Sequence, residues 1–184
     1  MRLFFAVELP TDVQSALGEL RPAESSDYRW PDASLLHVTL AFLGEQPEAR
    51  LGVLESVAAA AARAAAPGRL KLGEPGSFGP KRAPRVLWVG LDGDIASLNA
   101  LQSQLDRRLR ETGFAIEDRA FSPHITLARR RDKARAGSPE GWPPRNLQKA
   151  AFEMDHLTLF QSRLSPRGPT YIPLLTLPLG STEH

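Results

Sequence analysis

The 184-residue chain contains no cysteine, and only four of its 23 basic residues are lysine. Without thiols there can be no disulfide framework, thiolate metal site or cysteine nucleophile, and the lack fits a reducing compartment. Long apolar runs are missing too. The N-terminal MRLFFAVELP carries five apolar residues, Leu3 to Val7, before Glu8, too few for a secretory signal. No other run approaches membrane-spanning length. A cytoplasmic protein without membrane attachment is the expectation. Net charge is small, 23 − 21 = +2, so the global balance does not announce a nucleic-acid binder.

With 42% hydrophobic residues the chain can bury a core, and its length fits one domain or two small fused lobes. Nothing marks a self-complementary surface, so a monomer is the default. The 19 arginines cluster at KRAPR (81–85), RRLR (107–110) and RRRDKAR (129–135). Arginine's planar fork suits phosphate oxygens, although a solvated face carries such clusters equally well.

Local patterns predict strands over 3–9 and 35–43, then 69–78 and 85–91 as an antiparallel pair, then 121–128, 151–160 and 170–178. Helices are expected over 12–20, with Thr11 and Gln14 at capping-box spacing, and from Pro47 to the stop at Pro67 and Gly68. A third, 95–112, is capped by Asp94 and buries a stripe of Leu98, Leu101, Leu105 and Leu109. The basic, Pro- and Gly-rich stretch up to 146 reads as a mobile loop.

Three of the four histidines share one word: HVTL at 37–40, HITL at 124–127 and HLTL at 156–159. His184 ends the chain and says little. The halves also repeat. LFFAVEL, helix, loop, HVTL is matched by VLWVGL, helix, loop, HITL, with His37 and His124 standing 32 and 36 residues after Phe5 and Trp88. The architecture expected is α+β: a duplicated unit of antiparallel sheets with outer helices, two pseudo-symmetric lobes in one domain over 1–184, and a central cleft.

Alternation sorts the copies, because residues two apart on a strand share a face. His37 and Thr39 stand opposite Leu36, Val38 and Leu40; His124 and Thr126 stand opposite Ile125 and Leu127. Each strand presents His plus Thr to the cleft. His156 and Thr158 instead share their face with Phe152, Met154 and Phe160, so the third copy reads as a structural strand on a core or half-core face.

Two histidines flanking a phosphodiester suit in-line displacement. Imidazole's ordinary pKa, ~6.5, lets one ring accept a proton from water while the other gives one to the departing oxygen. Each threonine hydroxyl can bond the non-bridging oxygens. No metal or cofactor is needed. A metal hydrolase using His37, His124 and His156 as ligands is the rival; neither cleft motif shows a nearby carboxylate to orient its imidazole, and His156 would have to leave its apolar face.

These motifs, with RLFFAVELP, LHVTLAFLGE, FSPHITLAR and a C-terminal YIPL, resemble the 2H phosphoesterase superfamily. Within it the chain is most similar to the bacterial and archaeal RNA 2′,3′-cyclic phosphodiesterases, also called 2′-5′ RNA ligases. The resemblance implies the two-lobed 2H fold and metal-free hydrolysis of a 2′,3′-cyclic phosphate RNA end to a 2′-phosphomonoester. It also implies reversible 2′-5′ joining of tRNA half-molecules. It makes His37 the proton donor to the leaving 3′ oxygen and His124 the acceptor that activates water, with Thr39 and Thr126 holding the phosphate. Arg129 would add a phosphate contact, although strict alternation puts it on the Ile125 and Leu127 face unless the strand ends or bulges. Phe5, Phe42 and Trp88 could stack on a base, although Phe42 alternates onto the core face. The alternatives are a cyclic phosphodiesterase acting on a small nucleotide, which would not engage the loop at 129–135, and a non-catalytic RNA-binding module.

Overall fold

Leu3, Phe5 and Val7 alternate with Phe4 and Ala6 along the first strand, β1 (Arg2–Glu8), and both sets are buried. A strand apolar on both faces belongs in the middle of a sheet. In the computed structural model, which describes residues 1–23, 27–135 and 137–180, β1 lies between β3 (His37–Glu45) and β8 (His156–Ser165), and β9 (Gly168–Pro178) completes a four-stranded antiparallel sheet. His184 lies outside the described residues.

The second sheet runs β2 (Tyr28–Arg29), β6 (His124–Arg130), β5 (Val86–Gly93), β4 (Gly68–Phe78), β7 (Ala151–Met154). It is also antiparallel. In each sheet a strand, a helix and a loop lead back to a His-x-Thr strand beside the first: β1, α1 (Thr11–Gly18), β3, and β5, α3 (Ile95–Glu111), β6. Helix α2 (Leu51–Ala64) packs against α3, and the two cover the sheets' inner faces. Leu98, Leu101, Leu105 and Leu109 are fully buried, the expected stripe, and join Leu54, Val57 and Ala61 of α2 in the main core. Among the described residues no helix is long and apolar enough to cross a membrane.

Three local readings are corrected. Thr11 is the first residue of α1 rather than its cap; Pro10 occupies the cap position, where a fixed φ pre-forms the entry and no side chain caps the helix. Asp94 stands at the N-cap of α3, but its carboxylate accepts the Arg69 backbone N–H at 2.7 Å, tying the start of β4 to the helix instead of capping it. Gly93 makes that corner possible: its φ is +93°, and a Cβ would stand 2.4 Å from the Arg69 carbonyl oxygen.

The third correction concerns the strand expected over 151–160. It is two strands in two sheets. Phe152 and Met154 of β7 fill the core beside β4, whereas β8 pairs with β1 and β9. The consecutive exposed residues Asp155 and His156 form the corner where the chain crosses over. His156 therefore does not share a face with Phe152 and Met154. It is exposed, with its Nδ1 2.8 Å from the Asp155 carboxylate.

Among its described residues the stretch after β6 has neither helix nor strand, as expected, but it is tied down. Trp142 packs edge-on against Trp30 at 6.3 Å, the buried Tyr28 hydroxyl donates to the Pro84 and Gly137 carbonyls, and Arg130 donates to the carbonyls of Ala134 and Arg135. Arg130 is thereby spent on the loop itself.

Candidate active site

Strands β3 and β6 approach each other where the sheets meet, and each carries its His and Thr half-buried on the side away from the core. The two imidazoles are held alike. His37 Nδ1 lies 2.7 Å from the Leu35 carbonyl, and His124 Nδ1 lies 2.6 Å from the Ser122 carbonyl. A carbonyl can only accept, so Nδ1 bears the hydrogen in both rings and Nε2 is left as the working nitrogen. The orienting group that no neighbouring carboxylate supplied is thus the backbone oxygen two residues upstream. The Thr39 hydroxyl lies 3.0 Å from His37 Nε2 and donates to it when the ring is neutral.

Both histidines have lowered pKa values. Burial is the main cause at His37, opposed by the bond to Leu35. Burial also leads at His124, opposed by the bond to Ser122 and reinforced by the guanidinium groups of Arg119 and Arg129. The charge environment is asymmetric: the Arg119 and Arg129 guanidinium groups press on His124, whereas burial is what depresses His37.

Strand register explains why Phe42 and Arg129 reach this face against strict alternation. Ala6 pairs with Thr39 and Phe5 with Ala41, so Leu40 is an extra residue in β3. Trp88 pairs with Thr126 and Leu87 with Ala128, so Leu127 is an extra residue in β6. Each bulge puts two successive residues, Leu40 with Ala41 and Leu127 with Ala128, on the buried side and turns the next one out. Phe42 is 48% exposed, with its ring 5.8 Å from Phe4, and Arg129 comes within charge reach of His124. The bulges occupy the same place in both motifs.

Phe5 is corrected. It is fully buried in the main core, so it offers no surface for stacking, and its neighbour Phe4 faces the site instead. The pairing of Thr39 with Ala6 and of Thr126 with Trp88 makes Trp88 the counterpart of Ala6, one residue away from the equivalence with Phe5 read from spacing. Trp88 does lie beside His124, ring centroids 6.2 Å apart, with Phe78 edge-on at 5.0 Å. Its indole lies over Gly76, where a Cβ would come within 2.4 Å of the ring.

Phe4, Phe160 and Tyr171 form a second aromatic bed under His37. Phe4 is 5.0 Å and Tyr171 5.4 Å from the imidazole, the latter edge-on at 85°. Only the pairing of β8 with β9 and the packing of its ring bring Tyr171 beside His37, so strand alternation alone does not point to it. Burial raises its pKa, offset by the charges of Arg129 and Arg2, so it sits near cations from both sheets.

The third motif also gains a meaning that alternation alone could not supply. Cross-strand partners share a face, so Thr39, Ala6, Thr158 and Thr176 form one row across the first sheet. Thr158 is fully buried and donates at 2.9 Å to Glu8, the cross-strand partner of His37. HLTL contributes its threonine to the framework of the site, while its histidine stands outside. Among the described residues no three His, Asp or Glu side chains gather in an arrangement that could hold a metal ion.

The family model described as 2′-5′ RNA ligase superfamily matches residues 9–165. The RNA 2′,3′-cyclic phosphodiesterase of Geobacillus stearothermophilus is 31% identical over 97% of this chain, which spans 59% of that protein's length. The protein of that name from Thermus thermophilus is 34% identical over 95% of the chain and 88% of its own length. The crystal structure of TT0787 of Thermus thermophilus superposes with a TM-score of 0.81 at 32% identity, covering 100% of both chains. Escherichia coli LigT complexed with 3′-AMP gives a TM-score of 0.79 at 29% identity over 98% of each. Paired His-x-Thr strands, matching bulges and these likenesses agree: the chain belongs to the 2′-5′ RNA ligase superfamily.

Proposed function

We propose that the whole chain acts as one cyclic phosphodiesterase unit that opens 2′,3′-cyclic phosphate ends of RNA, leaving a 2′-phosphomonoester. The observation that carries this reading is the pair of imidazoles each held through Nδ1 by a backbone carbonyl two residues upstream, which turns Nε2 to the reacting side, where that of His37 meets the Thr39 hydroxyl. Curated relatives named RNA 2′,3′-cyclic phosphodiesterase support the substrate class.

His124 Nε2 takes a proton from water as the water oxygen attacks phosphorus, and the P–O3′ bond breaks as O3′ receives the proton from His37 Nε2. The cations beside His124 favour its neutral, accepting form, which supports this division of labour over its reverse. Thr39 and Thr126 donate to the non-bridging oxygens, and Arg129 offsets the charge gathering there. Phe42, with Phe4 beneath it, receives the terminal base. Protein groups supply every proton in this scheme, so no metal is called for. With an RNA 5′-hydroxyl in place of water, the same steps form a 2′-5′ linkage.

Hydrolysis of a nucleoside 2′,3′-cyclic monophosphate in excess chelator tests the reading. The product should be the 2′-monophosphate alone, and His37→Ala and His124→Ala should each slow turnover by roughly 10² to 10⁴, the usual worth of a positioned acid or base. Undiminished turnover in either variant would sink the assignment.

A further inference from the structure

On the site-facing side of the first sheet, register orders the residues into successive rows. Thr39, Ala6 and Thr158 form one; Phe42, Phe4 and Phe160 form the next; Arg2, Ser162 and Tyr171 form a third. Going from the first row to the third covers four residues of β1, about 13 Å at ~3.3 Å per residue, and a long arginine side chain can reach back over part of it. Phosphate groups suit the first row and a base suits the second. The third row then lies where the terminal nucleotide's 5′ side leaves the cleft.

We propose that Arg2 holds the phosphodiester joining the cyclic-ended nucleotide to the rest of the RNA, so that this row distinguishes an RNA chain from a mononucleotide. The inference rests on the phosphodiesterase reading above. Arg2 is exposed, and among the described residues it makes no ion pair; Glu45, its cross-strand neighbour, meets the terminal ammonium at 3.2 Å instead. Its charge is felt at the Tyr171 hydroxyl, whose ring packs edge-on against Phe4 at 4.9 Å. Other arginines are already engaged: Arg69 with Glu153, Arg107 with Glu111, Arg110 with Asp106, and Arg130 with its own loop. Within the Arg-rich stretch Arg130 is held by its own loop, whereas Arg2 stays exposed in the row beside the aromatic bed.

The test compares kcat/KM on a nucleoside 2′,3′-cyclic monophosphate with kcat/KM on a short oligoribonucleotide carrying the same cyclic end. In Arg2→Gln the oligonucleotide-to-mononucleotide ratio should fall roughly tenfold, as expected for losing one charge-assisted phosphate contact. The salt dependence of the oligonucleotide reaction should flatten by about 0.7 to 1 in its log–log slope. Arg2→Lys should recover part of the ratio. Arg163→Gln, on the opposite face of β8 from Ser162, should leave it unchanged. An unchanged ratio in Arg2→Gln, or an equal fall in Arg163→Gln, would overturn the assignment. Failure of the unsubstituted protein to open either substrate would instead refute the phosphodiesterase reading and remove the inference's basis.

Discussion

His37 and His124 obey the same local geometry under different charge. Burial favours the neutral ring in both, so His124 stays able to accept a proton below the pH at which free imidazole would be protonated. For the same reason His37 loses its donatable proton earlier as pH rises. The pH profile of kcat/KM should therefore peak on the acid side of ~6.5, the ordinary histidine value. Arg129→Gln removes a cation from His124 and raises that pKa, so the rising limb of the profile should move to higher pH. A limb that stays put or moves down in a pH series on the cyclic mononucleotide would separate Arg129 from His124. That each His and Thr stand together on the side away from the core was legible residue by residue, because the same word recurs at equivalent places in a repeat. Phe5 was misread because adjacent strand residues face opposite ways, and spacing alone set the repeat one residue out of register.

At the scale of elements, the helix stripe was fully legible and the strands nearly so. Leu105 is fully buried with Leu98, Leu101 and Leu109, so Leu105→Ala should cost about 2–5 kcal/mol of stability in denaturant unfolding, while activity per folded molecule persists. A loss of turnover without a loss of stability would show α3 coupled to the chemistry rather than only supporting it. The bulges at Leu40 and Leu127 were not legible, because a run such as HITLARR reads equally well with or without an extra residue; only pairing with a neighbouring strand reveals it. The crossing at Asp155 was hidden for a similar reason. Phe152, Met154, Thr158 and Phe160 keep one alternation straight through a corner that moves the chain from one sheet to the other. Tyr171 depends on both pairing and packing: YIPL marks the segment, but only the fold sets its ring edge-on to the His37 imidazole.

In the whole molecule strand β3 of one sheet lies against β6 of the other, so that each sheet contributes one of the two paired histidines. A net charge of +2 would not attract an RNA by itself; the arrangement concentrates Arg2 and Arg129 near Tyr171 instead. The duplicated pattern anticipates one His-x-Thr strand in each sheet, whereas the rings beside them, Phe4 and Tyr171 at His37 and Phe78 and Trp88 at His124, emerge only from the fold. The central claim is that a single phosphorus is worked on from both lobes. A crystal structure with a bound nucleoside 2′-monophosphate tests it most directly. The account predicts the phosphate between the Nε2 atoms of His37 and His124, with Thr39 and Thr126 hydroxyls on its non-bridging oxygens and the base against Phe42. A phosphate bound away from either histidine would contradict it.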